Sequence, residues 1–278
     1  MKRFFLFFVL IFADLAFAGD YSVLSLKTNY LYQMPKGSVD GFVAVELREN
    51  WEAPISELRG DLFRFGVLKL DFFLSRYVWI KINGVAQEVL GFNNEKEYSF
   101  NYPGIQSTSA HDIGDFSIAT IACVLPQGKH TPAVGFRIET KFPNTNQDRG
   151  LGPNTTDVIL SILTTQDFGS FLAFGDFGAG ILTAPRKLNE QNDVFTYGFG
   201  FIWKLKDKLQ LAGEINGFLS TRHTIPIGTE DRGSLRCGLV WGSPGLSLEL
   251  FPIYGLTKRE GKFGMSIGLS WSLSHFIH

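Results

Sequence analysis

From Phe263 to Leu273 the chain reads Phe-Gly-Met-Ser-Ile-Gly-Leu-Ser-Trp-Ser-Leu, with a large apolar residue at every second position and Gly or Ser between. A period of two sends alternate side chains to opposite faces, so this is a strand with one greasy face and one small, polar face. The pattern recurs upstream. Phe195, Tyr197, Phe199, Phe201 and Trp203 alternate with Thr196, Gly198 and Gly200, and Leu246, Leu248 and Leu250 alternate with Ser247 and Glu249.

The chain begins with a secretory pattern. Lys2 and Arg3 precede an apolar run from Phe4 to Phe12, and Ala16-Phe17-Ala18 fits a small-x-small cleavage site. The run is too short to span a bilayer, which takes about 20 residues. The expected organisation is a signal peptide over 1–18, a periplasmic or lumen-inserted segment over 19–38 and a barrel over 39–278. In the middle segment Tyr21, Leu24, Leu26, Tyr30, Leu31 and Tyr32 would supply apolar contacts to a plug.

Composition narrows the class. Only 19% of the 278 residues are charged, against roughly 25% in ordinary soluble domains. With 27 Phe and no later run long enough for a membrane helix, the apolar groups must go into a soluble core or into lipid. A formal net charge of −1 gives no attraction to nucleic acid. Cys123 and Cys237 lie far apart on strand-like segments and read as buried or lipid-facing thiols.

About twelve strands are expected, at 40–50, 62–71, 77–90, 113–125, 133–142, 157–166, 170–182, 194–204, 208–219, 233–241, 245–254 and 263–273. The connections between them alternate long and short to the end. Short periplasmic turns and long extracellular loops are the rule for transmembrane barrels, whereas a soluble sandwich has no reason to alternate. The fold class is therefore an all-β, transmembrane, antiparallel up-and-down β-barrel in the outer membrane. Its partners are outer-membrane lipid and the barrel-insertion machinery. Trp203, Trp241, Trp271, Tyr197 and Tyr254 are candidates for the interfacial aromatic girdles.

A charge on the lipid face costs about 2–4 kcal/mol at mid-depth, so charged residues mark the lumenal phase. This predicts a lumen lined by Glu46, Arg48, Arg137, Glu139, Lys141, Glu214, Asn216, Arg236 and Glu249. Both signs are present, which suits either salt-bridge filling of a narrow barrel or a charged path for a solute. Strands 113–125 and 170–182 are apolar on both faces. Phe116, Ile118, Val124, Leu172 and Phe174 are assigned to their inner side.

Ile113-Gly114-Asp115-Phe116 at a strand start, Lys141-Phe142-Pro143-Asn144 at a strand end, and Leu151-Gly152-Pro153-Asn154-Thr155-Thr156-Asp157 at the next re-entry form an ordered set. In this order they resemble the outer-membrane barrel family named after the phenol meta-degradation pathway. Asn144 and Pro153 stand where small residues or Gly are expected. The resemblance implies a barrel of this size and a small hydrophobic ligand, and it carries no catalytic residues. Asp157 reads as an acceptor for backbone N–H groups at its strand start, with a calcium or substrate site as the alternative.

Hydrolase chemistry would need a nucleophile in hydrogen-bond reach of a base. None of His111, His130, His223, His275 or His278 begins the His-x-Ser-Asn run of outer-membrane phospholipases. Asp112, Asp193 and Asp231 with His111 and His223 are the residues an aspartyl-type protease rim could use. Zinc-ligand spacing, phosphate loops and nucleotide fingerprints are absent, so no cofactor or metal is expected. The sequence points to a non-enzymatic channel or transporter for small compounds, hydrophobic ones included. A purely structural barrel and an outer-membrane hydrolase are the alternatives.

Overall fold

The computed structural model describes residues 22–92, 108–185, 190–243 and 245–274. The expected signal peptide, Tyr21, His275, Phe276, Ile277 and His278 lie outside the described residues. The strands are β1 (Val39–Glu52), β2 (Arg59–Ser75), β3 (Val78–Gly91), β4 (Ser109–Asp112), β5 (Ser117–Leu125), β6 (Ala133–Lys141) and β7 (Asp157–Asp167). They continue as β8 (Phe171–Thr183), β9 (Gln191–Lys206), β10 (Leu209–Ser220), β11 (Arg232–Ser243), β12 (Leu246–Gly255) and β13 (Phe263–Leu273).

Apart from β4 and β5, each strand pairs antiparallel with its sequence neighbour, and β13 returns to pair with β1 from Val39–Leu273 to Arg48–Gly264. β4 and β5 both pair with β3 and together make one stave. The thirteen strands thus close a barrel of twelve staves. The expected strand 113–125 is corrected here. It starts earlier, at Ser109, and is broken over residues 113–116. The Ile113–Phe116 motif lies in that break rather than opening a continuous strand.

The barrel inverts the polarity of a soluble protein. Phe199 is 50% exposed, Leu239 43%, Trp241 63% and Ile267 50%, while Ser266, Ser270, Ser272, Arg236 and Glu249 are buried. A sandwich would have to bury the faces of β9 and β13 against each other, and both point outward. This outer apolar band is the lipid contact of a transmembrane barrel. Trp203, Trp241 and Trp271 fall near the short-turn ends of their strands and Tyr254 at a long-loop end, whereas Tyr197 lies near the middle of β9. Cys237 is exposed on the outer face and Cys123 is half-buried; both are free thiols.

One local irregularity controls what faces inward. Ala44 pairs with Val67 but Val45 pairs with Phe65, which leaves Gly66 as a bulge with φ 62°. That left-handed backbone favours glycine, and the extra residue switches the side-chain phase of β2. Arg64 and Lys69, on opposite phases of a regular strand, therefore both reach the interior.

The short-turn half of the interior is packed. Leu172, Phe174, Ile202, Val240 and Phe251 enclose Val23, Leu26 and Tyr30. Phe73, Trp79, Ile121 and Leu163 enclose Leu31 and Met34. The wall thus surrounds residues 22–38, which run inside the barrel before β1.

Candidate functional site in the barrel interior

Residues 24–31 follow the inner wall past β12, β10, β8 and β7, and polar side chains of those strands hold their backbone. Glu249 accepts the N–H groups of Leu24 and Ser25 at 3.1 and 2.8 Å. Glu214 accepts those of Lys27 and Thr28 at 2.8 and 2.6 Å. Asp176 accepts from Asn29 Nδ2 at 3.0 Å, and Thr165 Oγ1 from the Leu31 N–H at 2.8 Å. Carboxylate oxygens take the place of a strand's carbonyls, and charge-assisted bonds of this kind are each worth about 1.5–3 kcal/mol. Lys69 Nζ and Arg236 Nη1 donate back to the Leu26 and Ser25 carbonyls at 2.6 and 3.4 Å.

Small wall residues make the room. A Cβ on Gly198 would stand 2.6 Å from Thr28 Cγ2, and one on Gly135 would stand 2.8 Å from Leu31 Cδ2. Tyr32 anchors the far end: its hydroxyl lies 2.8 Å from Asp71 Oδ2 and 3.0 Å from Asp40 Oδ2, and its single proton is shared between the two carboxylates.

Above this floor, toward the long loops, lies a cavity of about 390 Å³. Its lining includes Lys27, Glu46, Arg64, Lys81, Glu88 and Arg137, with Pro54, Thr145 and Leu151 entering from the loops. Glu46 is the hub: Arg48, Arg64 and Arg236 reach it at 3.0, 3.0 and 2.7 Å. Arg64 also pairs with Glu88 at 2.7 Å, and Arg236 Nε stands 3.6 Å from Glu214. Arg137 bridges Glu139, Asp176 and Ser161. Lys141 bridges Asp115 and Asp157 at 3.0 and 2.7 Å. Lys27 is exposed to the cavity, and its ammonium makes no ion pair among the described residues.

The loop ends continue the network. Arg48 and Arg232 reach Glu260 at 3.5 and 3.3 Å. Burial by itself pushes the Glu260 carboxyl up, but Lys27, Arg48, Arg232 and Arg64 outweigh it and bring it down to about 2. The guanidinium groups of Arg64 and Arg232 lie over the Trp51 ring at 5.6 and 5.3 Å.

The structure places Glu46, Arg48, Arg137, Glu214, Arg236 and Glu249 buried inside the wall. Glu139 and Lys141 are partly buried on the same phase, and Asn216 is half-buried, accepting from Ser234 Oγ at 3.4 Å. Glu46, Arg48, Arg236 and Glu214 form one group, Arg137 and Glu139 a second, and Lys141 a third. Asp157 accepts the Thr183 N–H at 2.9 Å besides pairing with Lys141.

Three apolar assignments are overturned. Ile118 is 37% exposed and Val124 56%, so both face outward, and the half-buried Phe116 shares their outer phase. Leu172 and Phe174 are buried inside. β5 is apolar on both faces, so alternation alone could not set its phase. The inward residues Arg64, Lys69, Lys81, Glu88 and Asp176 escaped the sequence reading. For Arg64 and Lys69 the signal was Gly66, where a bulge reverses the phase.

His111, His130 and His223 are exposed, and none bonds through its side chain to a Ser or Asp among the described residues. His275 and His278 lie outside the described residues. No group of His, Cys, Asp and Glu suited to a metal ion occurs among the described residues.

No protein-family model and no curated protein matches the sequence. Solved structures do match. An outer-membrane channel of Pseudomonas putida F1 superposes with a TM-score of 0.63 at 13% identity, covering 92% of this chain and 98% of that one. The fold is that of an outer-membrane β-barrel. The NanC porin superposes with a TM-score of 0.54 at 9% identity, over 83% of this chain and 98% of that one. Identities this low carry architecture across, and an outer-membrane barrel of this kind is what the outward apolar band independently requires.

Proposed function

We propose that this barrel is an outer-membrane channel for small solutes, closed on its short-turn side by residues 22–38. The observation that carries the reading is the charged cavity on the long-loop side, floored by a segment hydrogen-bonded to wall carboxylates rather than built into the sheet. The channel and the porin of like architecture support passage as a class of activity. Cations and carboxylates around the cavity favour a solute with at least one charged or strongly polar group. A wholly apolar solute would have to displace hydration from these groups without replacing it. The resemblance to the phenol meta-pathway barrels, which implies a hydrophobic ligand, is accommodated by a solute that combines an apolar part with a polar one.

The packed short-turn half favours a second reading, a structural barrel without transport. Single-channel recording of refolded protein in a planar bilayer decides between them. Stepwise conductance, in the intact chain or after deletion of residues 22–38, is the result expected of a channel. A folded, heat-modifiable barrel that stays silent in both forms would refute an ion-conducting channel and favour the structural reading.

A further inference from the structure

Among the described staves the wall ladder is interrupted between β3 and the pair β4 and β5. β3 pairs with β4 over Glu88–Gly91 and with β5 over Val78–Asn83, leaving residues 84–87 opposite 113–116 outside both ladders. One backbone bond crosses the interval, from the Gly114 N–H to the Val85 carbonyl at 2.9 Å. The β11–β12 ladder skips only two residues on each side, Cys237–Gly238 opposite Phe251–Pro252, whereas here four on each side are unpaired. A transmembrane barrel satisfies its backbone strand to strand, so this longer interval is where the wall can part with least loss.

The interval is closed by side chains. The Phe116 ring lies on Gly84 so closely that a Cβ there would stand 2.2 Å from the ring Cδ1. Asn83 and Ser117, their immediate neighbours, face the lumen, where Asn83 Nδ2 donates to Ser117 Oγ at 3.4 Å. Gly84 and Phe116 are therefore on the outer phase, and the ring is a cover on the lipid side. Behind it Asn83, Gly84, Val85, Asp115 and Ser117 belong to the lining of the charged cavity. Asn83 Oδ1 and Asp115 Oδ1 are buried there without a hydrogen-bond partner among the described residues. On the outside, Ile113, Ile118 and Phe142 present exposed apolar surface to the bilayer.

We propose that this interval is a side portal between lumen and bilayer, and that it serves a small anionic amphiphile. The proposal rests on the reading of the cavity as a solute compartment. The head sits at Lys27, whose ammonium makes no ion pair among the described residues. Beside it lie Lys69, which holds the Leu26 carbonyl, and Lys81, which stands 3.6 Å from Asp71. The tail passes beneath Phe116 into lipid. A charged head is costly in hydrocarbon, while every methylene held in water forgoes the gain of burial. A cavity of charge backed by a thin place in the wall meets both demands at once. Only glycine at 84 lets the ring lie against the strand, and only an aromatic or long apolar side chain at 116 covers the interval.

Dodecanoate carrying a terminal diazirine is the probe. It is added to the full chain in lipid vesicles, photolysed, and the adducts are mapped by peptide mass spectrometry. Adducts concentrated at residues 82–86 and 113–118, suppressed several-fold by excess unlabelled dodecanoate, are expected. Adducts spread evenly over the outer apolar band and indifferent to competitor overturn the portal, as do adducts confined to lumenal residues. A Phe116→Trp variant reports the same event without removing the cover. Its fluorescence should be quenched saturably by terminally brominated dodecanoate; quenching that rises linearly with probe in the membrane overturns the proposal. Conductance without focused adducts refutes the portal and leaves the channel, whereas focused adducts on a silent barrel support the portal and refute ion passage.

Discussion

Arg236 on β11 and Glu46 on β1 meet at 2.7 Å, although β12 and β13 separate their strands in the wall, so the pair is a chord across the lumen. Both side chains are buried, and Arg48 and Arg64 close on the same carboxylate. Breaking one partner of such a pair leaves the other charged and desolvated, at a cost of about 3–5 kcal/mol. Glu46→Gln should therefore lower the urea midpoint of barrel unfolding markedly, and Arg236→Met should do the same. The double variant should be less destabilised than the sum of the singles. Strict additivity would mean that the chord contributes no coupling.

Gly198 and Thr28 offer a way to disturb the floor without touching a charge. Gly198→Val puts a branched side chain where the Thr28 methyl already lies, with the Cβ alone at 2.6 Å. The expected result is several-fold higher open probability in bilayer recordings, with heat-modifiable migration retained. A Val variant as closed as the parent would show that residues 24–31 do not set the conductance.

The strands whose two faces differ in polarity were legible in the sequence. In β12, Leu248 and Leu250 flank Glu249, and in β13, Ile267 and Leu269 flank Gly268, so the phase could be read directly. β5 offered Ile118, Ile121 and Val124 on both faces, and there the reading failed. The break at 113–116 was hidden because Ile113 and Phe116 look like strand residues, while the ladders on either side belong to two separate stretches of β3, Glu88–Gly91 and Val78–Asn83. The inward turn of Arg64 and Lys69 depends on a single bulge. The contacts of residues 24–31 are sequence-distant pairs such as Leu24 with Glu249, which no local pattern encodes.

Glu260 makes the loop network sensitive to strong acid only. Its carboxyl stands at about 2 in the folded chain, against an ordinary 4.5, because the surrounding cations outweigh burial. A depressed carboxyl contributes stability that is fully present above its unfolded value and is lost as pH falls through the folded one. Glu260→Gln should thus lower the heat-modification midpoint by several degrees at pH values above about 4.5. The difference from the parent should shrink as pH falls toward about 2. A gap of constant size across that range would place the stabilisation in packing rather than charge.

Leu239 tests the lipid face itself. It lies on the outer side of β11, 43% exposed, paired with Leu211 on β10 and Leu250 on β12. A cation there meets hydrocarbon with no partner on the adjacent staves, so Leu239→Arg should cost about 2–4 kcal/mol of folding free energy in bilayers, while Leu239→Met should be near neutral. The measurement is reversible folding into vesicles over a urea series. The same arginine on an exposed face of a water-soluble sheet would be harmless or would aid solubility. An unchanged midpoint for Leu239→Arg would therefore count against insertion of this band in lipid, and with it against every inference drawn from the polarity of the wall.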